Sequence, residues 1–254
     1  RMNLVIHPKY KVNQADLISI TKHFNTSGEM LADGKRNKIK IFPLNNTKVN
    51  VKAFKVPILL NQIIYGYFRP SKAKRSFDYA SILLEKGIGT PHPIAYIENT
   101  SVLGLKDSYY FSEQIDTDLT FRELVTFPDW PDHETILRQF TQFCFKLHEN
   151  GIEFKDHSPG NTLIKKTENN VYEYFLVDLN RMNFHDEMSF ELRMKNLSRL
   201  TPKKEMIEVM SNEYAKLYKH KSEKEIFDLM WGETEAFQAK FHKKQALKKK
   251  YLNK

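Results

Sequence analysis

Asp156-His157-Ser158-Pro159-Gly160-Asn161 is the stretch that decides how this chain folds, read with Asp178 inside Phe175-Leu176-Val177-Asp178-Leu179. An acid, an amide five residues on, and a second acid at the end of an apolar run are the groups that phosphoryl transfer from ATP requires. One carboxylate receives or orients the proton of an attacking hydroxyl, while the amide and the other carboxylate hold Mg²⁺ against the triphosphate. Asp-x-x-x-x-Asn alone is common. Turn or helix caps explain an Asp or an Asn singly, but not this set with these flanks.

The segments around the stretch have clear periodicities. Upstream, Ile136, Leu137, Phe140, Phe143, Cys144 and Leu147 form a wide apolar stripe, which predicts a helix over 134–150 with Gly151 as its C-terminal stop. Downstream, Leu163-Ile164-Lys165 and Tyr174-Phe175-Leu176-Val177 predict a hairpin with Asn161 at its start and Asp178 at its end.

The first 30 residues are mixed, with a strand and a short helix expected. Met30 to Val56 reads as a meander: Ile39-Lys40-Ile41-Phe42 alternates, Asn45-Asn46-Thr47 turns, and Val49-Asn50-Val51-Lys52-Ala53-Phe54 alternates again. A helix is expected from Ala73 to Lys86, ended by Gly87, then a proline-stiffened turn and strand over 88–97, and a strand at Ser108–Ser112. Five strands and one helix thus precede residue 113. The expectation is an α+β, two-lobed fold: a sheet-rich N-lobe over 1–112 and a helical C-lobe over 113–254, joined near Glu113–Asp116.

Bulk properties agree with a globular chain. At 254 residues, 41% hydrophobic and 28% charged, it has ample length for a buried core. The single cysteine, Cys144, cannot form an intrachain disulfide and falls on an apolar helical face, which predicts a packed thiol. No secretory signal is read at the N-terminus, and no stretch approaches the roughly 20 apolar residues of a membrane span. The chain is expected to be soluble or peripheral to a membrane, and cytoplasmic. The net charge of +9 suits phosphates, anionic headgroups or nucleic acids, although scattered lysines alone make a solvated surface.

Three further motifs carry a resemblance. Gly34-Lys35-Arg36-Asn37, Val51-Lys52-Ala53-Phe54-Lys55 and Gly87-Ile88-Gly89-Thr90-Pro91-His92-Pro93 resemble those of the bacterial lipopolysaccharide kinase (Kdo/WaaP) family, over about residues 30 to 185. The 156–161 loop is also similar to the catalytic loop of aminoglycoside phosphotransferases and protein kinases. The resemblance implies a protein-kinase-like fold and an ATP- and Mg²⁺-dependent kinase acting on a sugar hydroxyl, Kdo or heptose, of the lipopolysaccharide inner core. It implies Asp156 as catalytic base, Asn161 as a metal ligand and Asp178 as the principal metal ligand. Lys52 is expected to grip the α/β-phosphates and joins Asp156 in the catalytic set, with Lys55 as the alternative. Gly34 and Arg36 are expected to cradle phosphate, and the Glu113-Gln114-Ile115 backbone to pair with the adenine edge.

The chain departs from the pattern in three places. The helix acid that pairs with the strand lysine aligns with Ser76, and Asp78, two residues on, is open between a substitute of shorter reach and an ordinary surface acid. The phosphate-covering loop holds only one glycine. The histidine usual two residues before the catalytic acid is Phe154. Arg181 is open between a phosphate or anionic-substrate contact and a structural ion pair, and His157 is not oriented by sequence. Over 240–254 a lysine-dense helix carrying Phe241, Leu247, Tyr251 and Leu252 suits an anionic membrane surface or packs on the C-lobe. Nucleic acid is not expected as a partner, since no recognised module accompanies the charge. A protein or small-molecule acceptor, and a scaffold that keeps the fold without catalysis, remain open.

Overall fold

The computed structural model describes residues 1–55 and 59–252, and divides into two compact units. The first holds Arg1–Asp116 with Asp178–Asn180; the second holds Thr117–Val177 with Arg181–Lys254. Glu113 and Gln114 belong to the first unit because their N–H groups donate to the carbonyls of His92 and Lys48, at 2.9 and 3.0 Å.

The first unit contains β1 (Met2–Ile6), α1 (Gln14–Lys22), β2 (Glu29–Asp33), β3 (Asn37–Leu44), β4 (Thr47–Phe54), α2 (Leu59–Tyr67), α3 (Lys72–Glu85), β5 (Pro93–Ser101) and β6 (Gly104–Glu113). The strands form one antiparallel sheet in the order β1-β5-β6-β4-β3-β2. Successive side chains of a strand face opposite sides, and β4 uses this directly. Val49 and Val51 are fully buried in a cluster with Leu17, Ile20, Phe24, Phe42 and Phe111, so Asn50 and Lys52 face the other side. Val56, at the end of the expected meander, lies outside the described residues.

β1 and α1 are the strand and short helix expected in the first 30 residues, and α2 is the element that goes beyond the expectation. β1 pairs along β5 from Met2↔Asn99 to Ile6↔Ala95, so its alternation has meaning only once β5 is beside it. α2 was not among the expected elements, although Leu59, Leu60, Ile63, Ile64 and Tyr67 recur at helical spacing. It lies against β6 at a point of close approach, where a Cβ on Gly66 would stand 2.6 Å from the Gly104 Cα. α3 is capped by Ser71, whose hydroxyl accepts from the Lys74 N–H. It ends with Gly87 at φ 69° and the bonds Gly87 N–H to Leu84 and Ile88 N–H to Leu83, a Schellman arrangement.

The second unit contains β7 (Leu119–Thr120), α4 (Phe121–Thr126), α5 (His133–Glu149), β8 (Ile152–Phe154), β9 (Thr162–Glu168), β10 (Val171–Leu176), β11 (Met182–Phe184), α6 (Phe190–Asn196), α7 (Lys204–Leu217) and α8 (Glu223–Leu252). α5 buries Ile136, Leu137, Phe140, Cys144 and Leu147 in a cluster with Met206, Ile207, Met210 and Tyr214 of α7 and Ile226 and Met230 of α8. Each such side chain contributes about 1.5–3 kcal/mol relative to exposure. β9 and β10 form the expected hairpin, and β8 pairs with β11. These pairings fix the two ends of the 156–161 loop.

Candidate active site

The acid of the loop is held by arginines. β8 ends at Phe154, and Lys155 donates its N–H to the Arg181 carbonyl at 3.1 Å. The Arg181 guanidinium then meets the Asp156 carboxylate as a fork, Nε to Oδ2 at 2.8 Å and Nη2 to Oδ1. A second guanidinium, that of Arg199, lies 3.8 Å from Oδ1. Asn161 donates its Nδ2 to the Asp156 backbone carbonyl at 2.8 Å, which ties the two ends of the loop and leaves the amide oxygen as an available hard donor. Its own carbonyl accepts from the Val177 N–H at 3.0 Å.

His157, left unoriented by sequence, turns inward. It is buried against Phe140 and Phe154, and its Nδ1 lies 3.4 Å from the Asn196 Oδ1. The same oxygen is 2.8 Å from Nε2 of buried His148, while the Asn196 amide donates to the Phe154 carbonyl. Phe154 therefore fills core space, and Asn196 makes the polar link to its backbone. Burial drives both imidazoles down, to about 4 for His157 and about 3 for His148. In the unfolded chain both titrate near 6.5, so between that pH and about 4 the unfolded state binds more protons. Stability should be level above pH 7 and fall as pH drops from 6.5 towards 4, with a slope approaching about 3 kcal/mol per pH unit. Urea midpoints measured across that range check this, and a flat profile refutes it.

Lys52 and Asp178 belong to the first unit. Asp178 has φ 63°, a left-handed conformation that Asp tolerates better than most residues but that still marks a constrained position. Its Oδ1 accepts from Lys52 Nζ at 2.5 Å, and Asn180 Nδ2 lies 3.5 Å from the same oxygen. Lys52 is 8% exposed, on the sheet face opposite Val51. Lys55 lies beyond the end of β4 and lines a pocket with Phe54, Asn61, Tyr65 and Lys72.

Sequence reasoning missed two residues here, Lys72 and Arg75. Burial lowers the Lys72 pKa, and Arg36, Arg75 and Lys52 push it further down against the pull of Asp178. Arg75 Nη1 donates to the Asn180 carbonyl at 2.9 Å, and its buried Nε has no protein acceptor. Lys72 therefore feels three other cations, Arg36, Arg75 and Lys52, against the carboxylate of Asp178, a positive field suited to a polyphosphate. A signal was present in the sequence. The first turn of α3 holds Lys72, Lys74 and Arg75 and no acid, the reverse of what a helix N-terminus favours unless an anion sits nearby.

The remaining candidates are placed as follows. Asp78 bonds Lys74 of its own helix at 2.8 Å, and Ser76 donates to the Lys72 carbonyl, so the acid on Lys52 comes from Asp178 and not from α3. Gly34 opens the turn between β2 and β3, its N–H bonded to the Asn37 carbonyl at 2.9 Å. Arg36 is exposed in that turn, and its carbonyl accepts from Lys55 N–H. The Glu113 side chain is bonded by Tyr10 and by Lys9, and Gln114 accepts from Asn50 at 3.0 Å. Both N–H groups are used within the sheet, so of the expected adenine-facing segment Ile115 alone keeps an N–H without a protein acceptor among the described residues.

Among the described residues no cluster of three or more His, Cys, Asp or Glu side chains could hold a metal. The Asp178 carboxylate in the first unit and the Asn161 amide oxygen in the second are each hard oxygens of the kind Mg²⁺ accepts.

Comparison with known proteins bears on the family and the fold. The model of the lipopolysaccharide kinase (Kdo/WaaP) family matches residues 24–220. Among solved structures, the chain is similar to one described as WaaP in complex with acyl carrier protein, with TM-score 0.64 and 15% identity, covering 95% of this chain and 98% of that one. At that identity the likeness shows the kinase-like α+β fold. Among curated proteins none matches.

Proposed function

The chain belongs to the lipopolysaccharide kinase (Kdo/WaaP) family, an assignment that makes it an ATP-dependent kinase, and from that premise we propose that it phosphorylates a hydroxyl of Kdo or heptose in the lipopolysaccharide inner core. The observation that carries the reading is the Lys52–Asp178 pair set among Arg36, Lys72 and Arg75. That arrangement has no use in a plain structural core, where an excess of cations is costly.

In the proposed reaction the acceptor oxygen attacks the γ-phosphorus, its proton passes to the Asp156 carboxylate, and the bond from the γ-phosphorus to the bridging oxygen breaks to release ADP. Lys52, Lys72 and Arg75 neutralise charge on the phosphates. Asn161 and Asp178 would hold Mg²⁺, which when bound offsets charge on the β- and γ-phosphates. Gly34 and Arg36 cover the phosphates, and Ile115 N–H meets the adenine edge.

A lipid-linked acceptor also gives the C-terminal helix a role. Side chains 239–252 of α8 are exposed, and Phe241, Tyr251 and Leu252 continue the face that buries Ile226 and Met230 earlier in the helix. With Lys240, Lys243, Lys244, Lys248, Lys249 and Lys250 this segment suits an anionic bilayer surface. Asn253 and Lys254 lie outside the described residues, and among the described residues no helix is long and apolar enough to cross a membrane.

The test is transfer of labelled γ-phosphate to purified inner-core oligosaccharides bearing Kdo alone or Kdo with heptose. Label is expected in one of the two. Label in neither, with ATP still bound, would sink the sugar-kinase reading and favour a scaffold.

A further inference from the structure

The fork on Asp156 poses a problem for the reaction just described. A carboxylate that must receive a proton has both oxygens engaged by Arg181, with Arg199 close to one of them. Two guanidiniums against one carboxylate leave a net positive charge at that spot. The Asp156 side chain is 16% exposed and that of Arg181 56%, so the fork is open to solvent from the arginine's side.

The two arginines are held differently. Arg199 is steadied by the Lys155 carbonyl, which it meets at 3.3 Å, and by the ring of Phe237 at 5.7 Å. Arg181 has a fixed backbone, since its carbonyl accepts from Lys155 and the next residue, Met182, pairs with Phe154. Its long side chain can turn from Asp156 to another anion without disturbing that ladder.

Resting on the proposed sugar-kinase reading, we infer that Arg181 and Arg199 read an anionic group on the acceptor, a carboxylate or a phosphate close to the reacting hydroxyl, and that its arrival draws the Arg181 fork away from Asp156. A planar guanidinium exchanges one oxyanion for another with little loss, because each offers the same bidentate geometry. A neutral sugar offers no such replacement, so Arg181 stays on the acid and the base remains covered. Acceptor charge thereby sets both binding and the availability of the base.

The experiment compares wild type with Arg181→Met, Arg181→Lys and Arg199→Met, each first checked by thermal melting. Acceptors are a Kdo-terminated oligosaccharide, its carboxyl-reduced form and a phosphorylated heptose acceptor. For wild type, kcat/KM should favour the anionic acceptors over the reduced one by about 100-fold. Arg181→Met should raise KM for the anionic acceptors about 10-fold or more and bring that preference below about 10-fold, with partial recovery in Arg181→Lys. Arg199→Met should raise KM without uncovering the base. Preference for the carboxylated or for the phosphorylated acceptor identifies the source of the anion, and either supports the inference.

An unchanged preference in Arg181→Met overturns it. If no sugar accepts phosphate, the acceptor reading fails separately, and basal ATP hydrolysis decides for the arginines. Arg181→Met should then raise hydrolysis at least about threefold by freeing Asp156, and Arg181→Met/Asp156→Asn should reverse the gain. Hydrolysis unchanged in Arg181→Met refutes the fork as a cover on the base.

Discussion

Asp156→Ala is expected to lower phosphate transfer by about 10³-fold, within the range of a lost general base, while ATP binding stays close to that of wild type. Asp178→Ala should lose both. The difference follows from what each carboxylate touches. Among the described residues the Asp156 side chain is bonded by arginines, whereas Asp178 is bonded to Lys52 and acts on Lys72 with three cations. Removing Asp178 leaves a buried lysine unpaired and takes away the proposed metal ligand at once. Thermal shift with ATP and Mg²⁺ separates the two, since a ligand at about 100 times its Kd adds about 2.7 kcal/mol. Stabilisation should persist in Asp156→Ala and vanish in Asp178→Ala. A full ATP shift in Asp178→Ala would remove the basis for the nucleotide site.

The largest effect on stability is expected at Gly151, one of the residues that brings α5 into the catalytic loop. It has φ 69°, and a Cβ there would stand 1.8 Å from the His185 carbonyl oxygen. That carbonyl is backbone, and the His185 N–H is itself bonded to the Gly151 carbonyl at 2.8 Å, so the neighbour cannot yield cheaply. The left-handed conformation and the overlap together should make Gly151→Ala cost about 4 kcal/mol. Denaturant unfolding measures it. A cost below about 1 kcal/mol would mean the turn between α5 and β8 is far softer than the geometry implies.

How much was readable in the chain depends on the range of the interactions involved. The α5 stripe, the β9–β10 hairpin and the Gly87 and Gly151 stops all rest on neighbours within a few residues, and the elements fall at His133–Glu149, Thr162–Glu168 and Val171–Leu176. The candidate set at 156, 161 and 178 could be named for a related reason: it follows a helix stop and brackets a hairpin. The first 30 residues were expected only to hold a strand and a short helix, without bounds, because β1 takes its register from β5; α2 was missed although Leu59, Leu60, Ile63, Ile64 and Tyr67 carry a helical period. The acid facing Lys52 was sought on α3, at Ser76 or Asp78, because a helix acid is the familiar arrangement. The basic first turn of α3 was the available clue that this helix answers to anions.

Local periodicity, stop signals and residue chemistry in the sequence itself settled the α+β class and the main helices and hairpins, and named candidate groups for phosphate transfer. Only the tertiary structure decided which of those groups touch. Lys52 and its acid are 126 residues apart in the chain, and the fork on Asp156 joins residues 25 apart across the β8–β11 ladder. Such pairings depend on strand register and on where the chain re-enters a unit, quantities fixed by burial of the whole core and not by any window of sequence.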